Sequence, residues 1–106
     1  MANIMTTWGT VGANATVSTT VVTLVDGFGF TAAQLAKAER ALITSTKAAV
    51  RYRHDGTAPT NELGHLLPQD ASPPLEVLGN LNIRQFQCIR DSAEVDDAVV
   101  LITLEF

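Results

Sequence analysis

The segment at residues 50–60 constrains the fold more than any other part of this chain, because a strand pattern runs directly into a tight turn. Arg51 and Arg53 alternate with apolar and aromatic residues, the period of two that places neighbouring side chains on opposite faces of a strand. Asp55 and Gly56 then predict a turn with Gly56 at positive φ, because glycine accepts that conformation and aspartate bonds to nearby backbone. The two arginines are candidate partner contacts, and the alternative is a solvated strand face.

Alternating residues and turn signals elsewhere predict a mainly β fold, built as a small β-sandwich or jelly-roll-like barrel. The last expected strand, residues 99–105, is nearly all apolar, which favours a central place in a sheet. The second and third expected strands would form a hairpin about Thr46 and Lys47. The predicted strands are residues 16–25, 40–45, 49–54, 64–68, 75–78, 83–90 and 99–105.

A single short helix is expected between the first two of these strands. Thr31 and Gln34 have the spacing of a capping box, in which each side chain bonds to the backbone of the other residue. An apolar stripe follows, so we predict a helix from Ala32 to about Lys37. The β-branched residues that come next favour a strand beginning near Arg40.

The first fifteen residues show no clear period, and we interpret residues 1–15 as an extended N-terminal arm. A single β-sandwich domain at residues 16–106 would follow it. Large aromatic side chains concentrate binding energy at interfaces, and apolar side chains are costly to leave in water. The apolar arm residues are therefore candidate partner contacts: Ile4, Met5, Trp8 and Val11. The alternative is that the arm packs against its own domain.

Composition narrows the possible functions. A chain of 106 residues is one domain, and its net charge of −4 comes with few clustered bases, which disfavours nucleic-acid binding. The sequence contains no run of about 18 apolar residues, so no membrane span is predicted. No signal-peptide pattern is visible either. Cys88 is the only cysteine, so it has no intramolecular disulfide partner, and its apolar neighbours suggest a buried small hydrophobe.

Residues 27–32 carry the strongest enzyme-like signal, because they fit the pattern G-x-G-x-x-A between a strand and a helix. However, Phe28 and Phe30 would crowd the place where a pyrophosphate approaches the backbone. We therefore expect a glycine-rich turn whose two phenylalanines pack on the core, with no dinucleotide binding.

Metal and catalytic sites find weak support. His54 and His65 could bind a metal with Asp55 or Glu62, but a zinc site needs more nitrogen or sulfur ligands than these. The acids of residues 91–97, namely Asp91, Glu94, Asp96 and Asp97, lack the spacing of an EF-hand calcium loop. We therefore predict no catalytic residue, no cofactor, no metal and no enzyme activity.

The turn and strand pattern of the C-terminal two thirds resembles that of small bacteriophage virion structural proteins. The resemblance covers about residues 38–106 and consists of turns and strands rather than an active-site signature. Its segments are Val50-Arg51-Tyr52-Arg53, Asp55-Gly56-Thr57, Pro59-Thr60, Gly64-His65-Leu66, Gly79-Asn80-Leu81-Asn82-Ile83 and Phe86-Gln87-Cys88-Ile89-Arg90.

This resemblance implies a compact β-sandwich that decorates and cements a phage head. The expected partner is the major capsid protein, the expected location is the capsid exterior after assembly in the host cytoplasm, and a homotrimer is the favoured oligomer. The alternative is a tail-associated structural module or one that binds a receptor or a carbohydrate. Position in the virion, whether head, neck or tail, stays open at this point.

Overall fold

The computed structural model describes residues 9–106, in which strands predominate over two short helices. The fold is mainly β, as predicted, with a second short helix that the sequence did not indicate. In chain order the elements are β1 (Thr10–Val17), β2 (Val22–Thr23), α1 (Ala32–Lys37), β3 (Arg40–Thr46), β4 (Val50–Arg53), β5 (His65–Leu67), β6 (Leu75–Leu78), α2 (Asn80–Arg84), β7 (Gln87–Arg90) and β8 (Ala98–Glu105).

The strands form two antiparallel four-stranded sheets. Sheet A has the order β1-β8-β3-β6, and sheet B has the order β2-β7-β4-β5. The two sheets enclose one hydrophobic core, which is the arrangement of a small β-sandwich. β8 lies between β1 and β3, so its predicted central place is confirmed.

Alternate residues of each strand supply the core. In β8, Val100, Ile102 and Leu104 are completely buried, while the residues between them face outward. From sheet B, Val50 and Cys88 are also completely buried. Burial raises the pKa of the Cys88 thiol to about 12, so the group stays protonated and behaves as the small hydrophobe expected from the sequence.

Helix α1 begins and ends where the sequence indicates. The Thr31 hydroxyl accepts from the Gln34 backbone N–H at 3.1 Å, and the Gln34 side chain accepts from the Thr31 N–H at 2.9 Å. This capping box satisfies two backbone groups at the helix start. Ala38 is already extended, and β3 begins at Arg40 as predicted.

The predicted strand at residues 16–25 is wrong in its bounds. β1 ends at Val17, and the chain crosses at once to sheet B, where the Ser18 carbonyl accepts from the Arg90 N–H at 3.0 Å. Residues 10–15, which the sequence assigned to an arm, instead pair with β8 along their whole length. Their small residues have low strand propensity, but the ladder with β8 overrides it.

The predicted strand at residues 83–90 is wrong in its first half. Helix α2 occupies Asn80–Arg84, and only Gln87–Arg90 forms a strand, β7. The Asn80 side-chain amide donates to the carbonyls of Leu35 and Ala38, at 2.6 and 2.8 Å. These contacts connect the start of α2 to the end of α1. Because they involve distant residues, the sequence of residues 80–84 alone does not predict the helix.

The predicted hairpin between the strands on either side of Thr46 and Lys47 is also wrong. β3 belongs to sheet A and β4 to sheet B, so the two strands do not pair. Lys47 has a positive φ of 72°, and the Ser45 hydroxyl donates to the Ala48 carbonyl at 2.6 Å. The connection is therefore a crossing between sheets, and β4 pairs with β5 and β7.

The turn after β4 has the expected conformation, because Gly56 has φ +88°. We expect Gly56→Val to lower the free energy of unfolding by about 1 kcal/mol or more, since a β-branched residue is strained at positive φ. The Gly56→Asn variant is the control, because asparagine tolerates the left-handed region better. Chemical denaturation would measure both, and equal midpoints for Gly56→Val and the wild type would contradict this account of the turn.

Candidate interaction surface

The side of sheet A that faces away from the core is a regular surface formed by four strands, which are longer in total than those of sheet B. Every second residue of its four strands points outward, and these residues form the surface. We call it the outer face of sheet A. Its residues are Thr10, Gly12, Asn14 and Thr16 of β1, Val99, Leu101, Thr103 and Glu105 of β8, Arg40, Leu42, Thr44 and Thr46 of β3, and Glu76 and Leu78 of β6.

The middle of this face is uncharged and carries one exposed leucine, Leu101 of the central strand, which is 46% exposed. Leu78 of β6 is 58% exposed and lies at one end of the face, where it pairs with Arg40. Leu42 lies beside Thr103 and is partly covered. Apolar side chains standing among threonines on a flat sheet can be buried by a partner at little polar desolvation cost. The nearly all-apolar pattern of residues 99–105 predicts a central strand but does not indicate that Leu101 faces solvent, because only alternate residues of β8 point into the core.

The charged residues that belong to the outer face itself lie toward one end of it. Arg40 Nε lies 2.6 Å from Glu76 Oε2, and Arg40 Nη1 lies 3.0 Å from Glu105 Oε1. The Nε contact is ionic rather than an aligned hydrogen bond. One arginine between two carboxylates leaves a net negative rim, and the centre of the face stays neutral.

An open cleft lies at the opposite end of the same face. Its lining includes Thr16 and Val99 of the outer face together with Lys47 and the acids Asp96 and Asp97. The cleft has a volume of about 600 Å³ and is wide open to solvent. Its lining mixes charge of both signs without convergent buried polar groups, so it does not have the form of a small-molecule pocket.

Arg51, a predicted partner contact, is engaged within the chain. Its Nε lies 2.6 Å from Asp91 Oδ1, and its Nη1 donates to the Gly64 carbonyl at 3.1 Å. The hydrogen bond from Arg51 lowers the pKa of Asp91, which is buried. Arg51 therefore connects β4 to two loops, and its guanidinium is only partly available to a partner.

Arg53, the other predicted arginine contact, lies near the surface and pairs locally. Its guanidinium forms an ion pair with Asp55, two residues along the chain. This hydrogen bond holds the pKa of Asp55 down to about 2, and Asp55 also accepts from the Thr57 N–H at 3.1 Å. The pair shapes the turn after β4.

The predicted arm contacts divide between described and undescribed residues. Val11 is in β1, half-buried, and packs against the edge of the core. Ile4, Met5 and Trp8 lie outside the described residues. The structure therefore does not bring Val11 together with Arg51 and Arg53, which belong to sheet B.

The structure does bring together the two histidines that the sequence singled out. The rings of His54 and His65 lie 6.3 Å apart, and the Tyr52 ring lies 6.3 Å from His54 and 5.4 Å from His65. Burial raises the pKa of the Tyr52 phenol. Within residues 9–106, no group of three metal-ligating side chains is present, so the cluster is aromatic in character.

The glycine-rich segment before α1 packs as expected from the sequence. Phe28 and Phe30 are both buried, with ring centroids 6.4 Å apart. A Cβ on Gly27 would lie 1.8 Å from Val22 Cγ1, so this glycine permits close packing against β2. The prediction that the two phenylalanines pack on the core is confirmed.

The acids of the loop before β8 bond to neighbouring parts of the chain. Besides Asp91, Asp97 lies 2.7 Å from Arg90 Nη1, and Glu94 accepts from the Ala49 N–H at 2.5 Å. These contacts give three of the four acids a role in holding the loop against sheet B.

Comparison with known proteins adds no relative: no protein-family model matches the chain, and no curated protein or solved structure matches it significantly. Among residues 9–106, no helix has the length and apolar character needed to cross a membrane.

Proposed function

We propose that this protein is a non-enzymatic structural component of a bacteriophage virion, and specifically a decoration protein that binds the major capsid protein lattice on the capsid exterior. Three observations support the proposal, and the third is the outer face of sheet A. The turn and strand pattern of residues 38–106 resembles that of small virion proteins, and the chain folds as the β-sandwich that this resemblance implies.

The outer face of sheet A is the observation that carries the proposal. Leu101 is exposed in the neutral middle of a hydrogen-bonded sheet, and Leu78 is exposed at its edge beside Arg40. Burying them would yield about 25 cal/mol per Å² of apolar surface. A rigid sheet loses little conformational entropy on docking. An adhesive protein without chemistry needs such a surface, and the major capsid protein is the partner to which we assign it.

Leu101→Glu tests this assignment. We expect the variant to bind particles assembled from the major capsid protein of the same genome roughly tenfold more weakly or worse, because burying an unpaired carboxylate costs more than about 1.4 kcal/mol. Co-sedimentation of the purified protein with those particles would measure the change. Leu101 points away from the core, so the thermal midpoint of the free protein should stay close to that of the wild type.

Val95→Glu is the matched control for Leu101→Glu. Val95 is 90% exposed in the loop before β8, outside the outer face of sheet A. It introduces the same charge on an exposed apolar residue, and we expect it to bind particles like the wild type. Wild-type binding by Leu101→Glu, or equal losses in both variants, would contradict a docking role for this face.

The aromatic cluster of Tyr52, His54 and His65 favours a second candidate function, a tail-associated module that binds a carbohydrate. The rings of Tyr52 and His54 are stacked, and the exposed His65 ring lies tilted beside Tyr52. Such rings offer the apolar contact that sugar rings use. Glycan binding that is lost in His65→Ala and kept in Leu101→Glu would support this candidate in place of the capsid-binding one.

A further inference from the structure

The outer edge of β1 is the longest unpaired sheet edge in the described chain. β1 is the terminal strand of sheet A, and its eight residues pair with β8 without a bulge. Within residues 9–106, no strand pairs with its other side. An unpaired edge of this length is a template for another strand unless charge, proline or a bulge protects it.

The hydrogen-bond pattern identifies the backbone groups that point outward from this edge. The Phe106 N–H donates to the Gly9 carbonyl, and the Val99 carbonyl points toward β3, where it accepts from the Thr46 hydroxyl. Antiparallel pairing alternates, so the odd-numbered residues of β1 bond to β8. The even-numbered residues therefore direct their N–H and C=O groups away from β8: Thr10, Gly12, Asn14 and Thr16.

The other sheet edges are short or covered. β2 and β5 contain two and three residues. At β6, the Leu78 carbonyl already accepts from the Asn82 side-chain amide at 3.1 Å. β1 itself contains no charged residue and no proline. It therefore lacks the features that usually prevent association at an edge.

We propose that β1 pairs antiparallel with β1 of a second copy of this chain, about a two-fold axis at Ala13, so that the two copies of sheet A become one continuous sheet. The occupant is a second copy because the edge is complementary to itself. In an isologous interface the same surface of both copies meets about a two-fold axis. Because β1 is uncharged, two antiparallel copies of it bring no like charges together. The inference is independent of the virion proposal.

The direction of the free backbone groups selects one centred register. Thr10 pairs with Thr16 of the second copy, and Gly12 pairs with Asn14 of the second copy. These even-numbered pairs would exchange about eight inter-chain hydrogen bonds. Ala13 then meets its own copy at the axis in a non-hydrogen-bonded pair, where Cα atoms approach to about 4.5 Å and small side chains fit.

The same register suits both faces of the joined sheet. On the core side, Val11 would lie opposite Ala15 of the second copy, and both are only half-buried in the single chain. On the outer face, the row through Val99 and Thr16 continues into Thr10 and Glu105 of the second copy. The Arg40, Glu76 and Glu105 cluster of each copy thus lies toward the cleft end of the other copy, and the two ion clusters stay apart.

Proline at an outward-pointing N–H tests the pairing. Asn14→Pro removes one edge donor without removing a hydrogen bond to β8, so we expect the folded chain to run as a monomer of 11.3 kDa. The wild type and the matched control Asn14→Ala, which keeps the N–H, should have twice that mass at the same concentration. Light scattering after size-exclusion chromatography, over a dilution series, would measure the masses.

Amide hydrogen exchange of the wild type tests the same inference without a variant. In the dimer, the N–H groups of Gly12, Asn14 and Thr16 should be protected, and this protection should be lost on dilution to the monomer. Rapid exchange at these amides at all concentrations would overturn the proposal, even if Asn14→Pro failed to fold.

Two further outcomes would also overturn the proposal. A trimeric mass for the wild type, as the resemblance implied, is incompatible with a two-fold β1 pairing. Protection that is independent of concentration, and that disappears when residues 2–8 are deleted, would mean that the N-terminal residues of the same chain occupy the edge. The proposal would also be overturned if the protein were monomeric throughout the dilution series, both as the full chain and without residues 2–8.

Discussion

Phe86→Ala is expected to lower the free energy of unfolding by about 4 kcal/mol, the largest effect of any single truncation that we predict. Phe86 is 1% exposed and has the largest volume of the fully buried side chains among the described residues. Its ring lies 5.6 Å from that of Tyr52, and its N–H donates to the Ile83 carbonyl at the end of α2. Removing the ring would leave a cavity where α2 joins sheet B, and the rigid surroundings could fill it only in part.

Thermal unfolding would show this loss directly. For a domain of this size, a change of about 4 kcal/mol corresponds to a fall in Tm of roughly 15 °C or more. Leu81→Ala is the control, because Leu81 belongs to the adjacent helix α2 but is 58% exposed. Its Tm should stay within a few degrees of the wild type. Similar Tm values for the two variants would contradict the central place of Phe86 in the core.

Arg51→Ala is expected to lower the free energy of unfolding by about 2 kcal/mol. The substitution leaves the carboxylate of Asp91, which is only 8% exposed, without its charged partner. The Ala93 N–H remains as a donor to Asp91 Oδ2 at 3.1 Å, which limits the cost. The Gly64 carbonyl also loses its bond to Arg51, so the loop before β5 should become more mobile.

Arg53→Ala is the matched control for Arg51→Ala. Arg53 belongs to the same strand and the same outward row, but its ion pair with Asp55 is exposed to solvent. Exposed ion pairs contribute little to stability, so its denaturation midpoint should stay close to that of the wild type. Equal losses in the two variants would show that burial of the Arg51–Asp91 pair is not what makes Arg51 important.

Acidification should remove the advantage that Arg51 provides. Because the folded state lowers the pKa of Asp91, the resulting stabilisation is fully present above the unfolded-chain value of about 3.9. It disappears as the pH falls through the lowered folded-state pKa. The difference in unfolding free energy between the wild type and Arg51→Ala should therefore be constant near neutral pH and shrink below about pH 4. A difference that does not change with pH would contradict the role of the Asp91 carboxylate.

Short-range signals predicted the elements that depend on neighbouring residues. The capping box of Thr31 and Gln34 defined α1, the turn residues before it placed Phe28 and Phe30 on the core, and Asp55-Gly56 defined the turn after β4. In each case the partner atoms lie within a few residues, so composition and spacing carry the information.

The candidate surface was only partly predictable, because its leucines become exposed through the topology. Residues 99–105 are mostly apolar, and the absence of a layer over sheet A among the described elements leaves Leu101 in contact with solvent. Likewise, nothing near Arg51 in the sequence identifies Asp91 as its partner, since 40 residues separate the two. The sequence pattern around a charged strand residue is the same whether that residue binds another protein or a distant loop of its own chain.

The sequence by itself determined the β class of this protein, the start and end of α1, the turn at Gly56 and the central place of β8. Tertiary structure alone decided where the chain crosses between the sheets at Ser18 and between β3 and β4, and that residues 80–84 form a helix against α1. It also decided that residues 10–15 form an edge strand, since they pair with residues 100–105, about 90 positions away in the sequence. The physical reason is that strand pairing is a contact between distant residues, whereas propensity and turn chemistry act over a few neighbours.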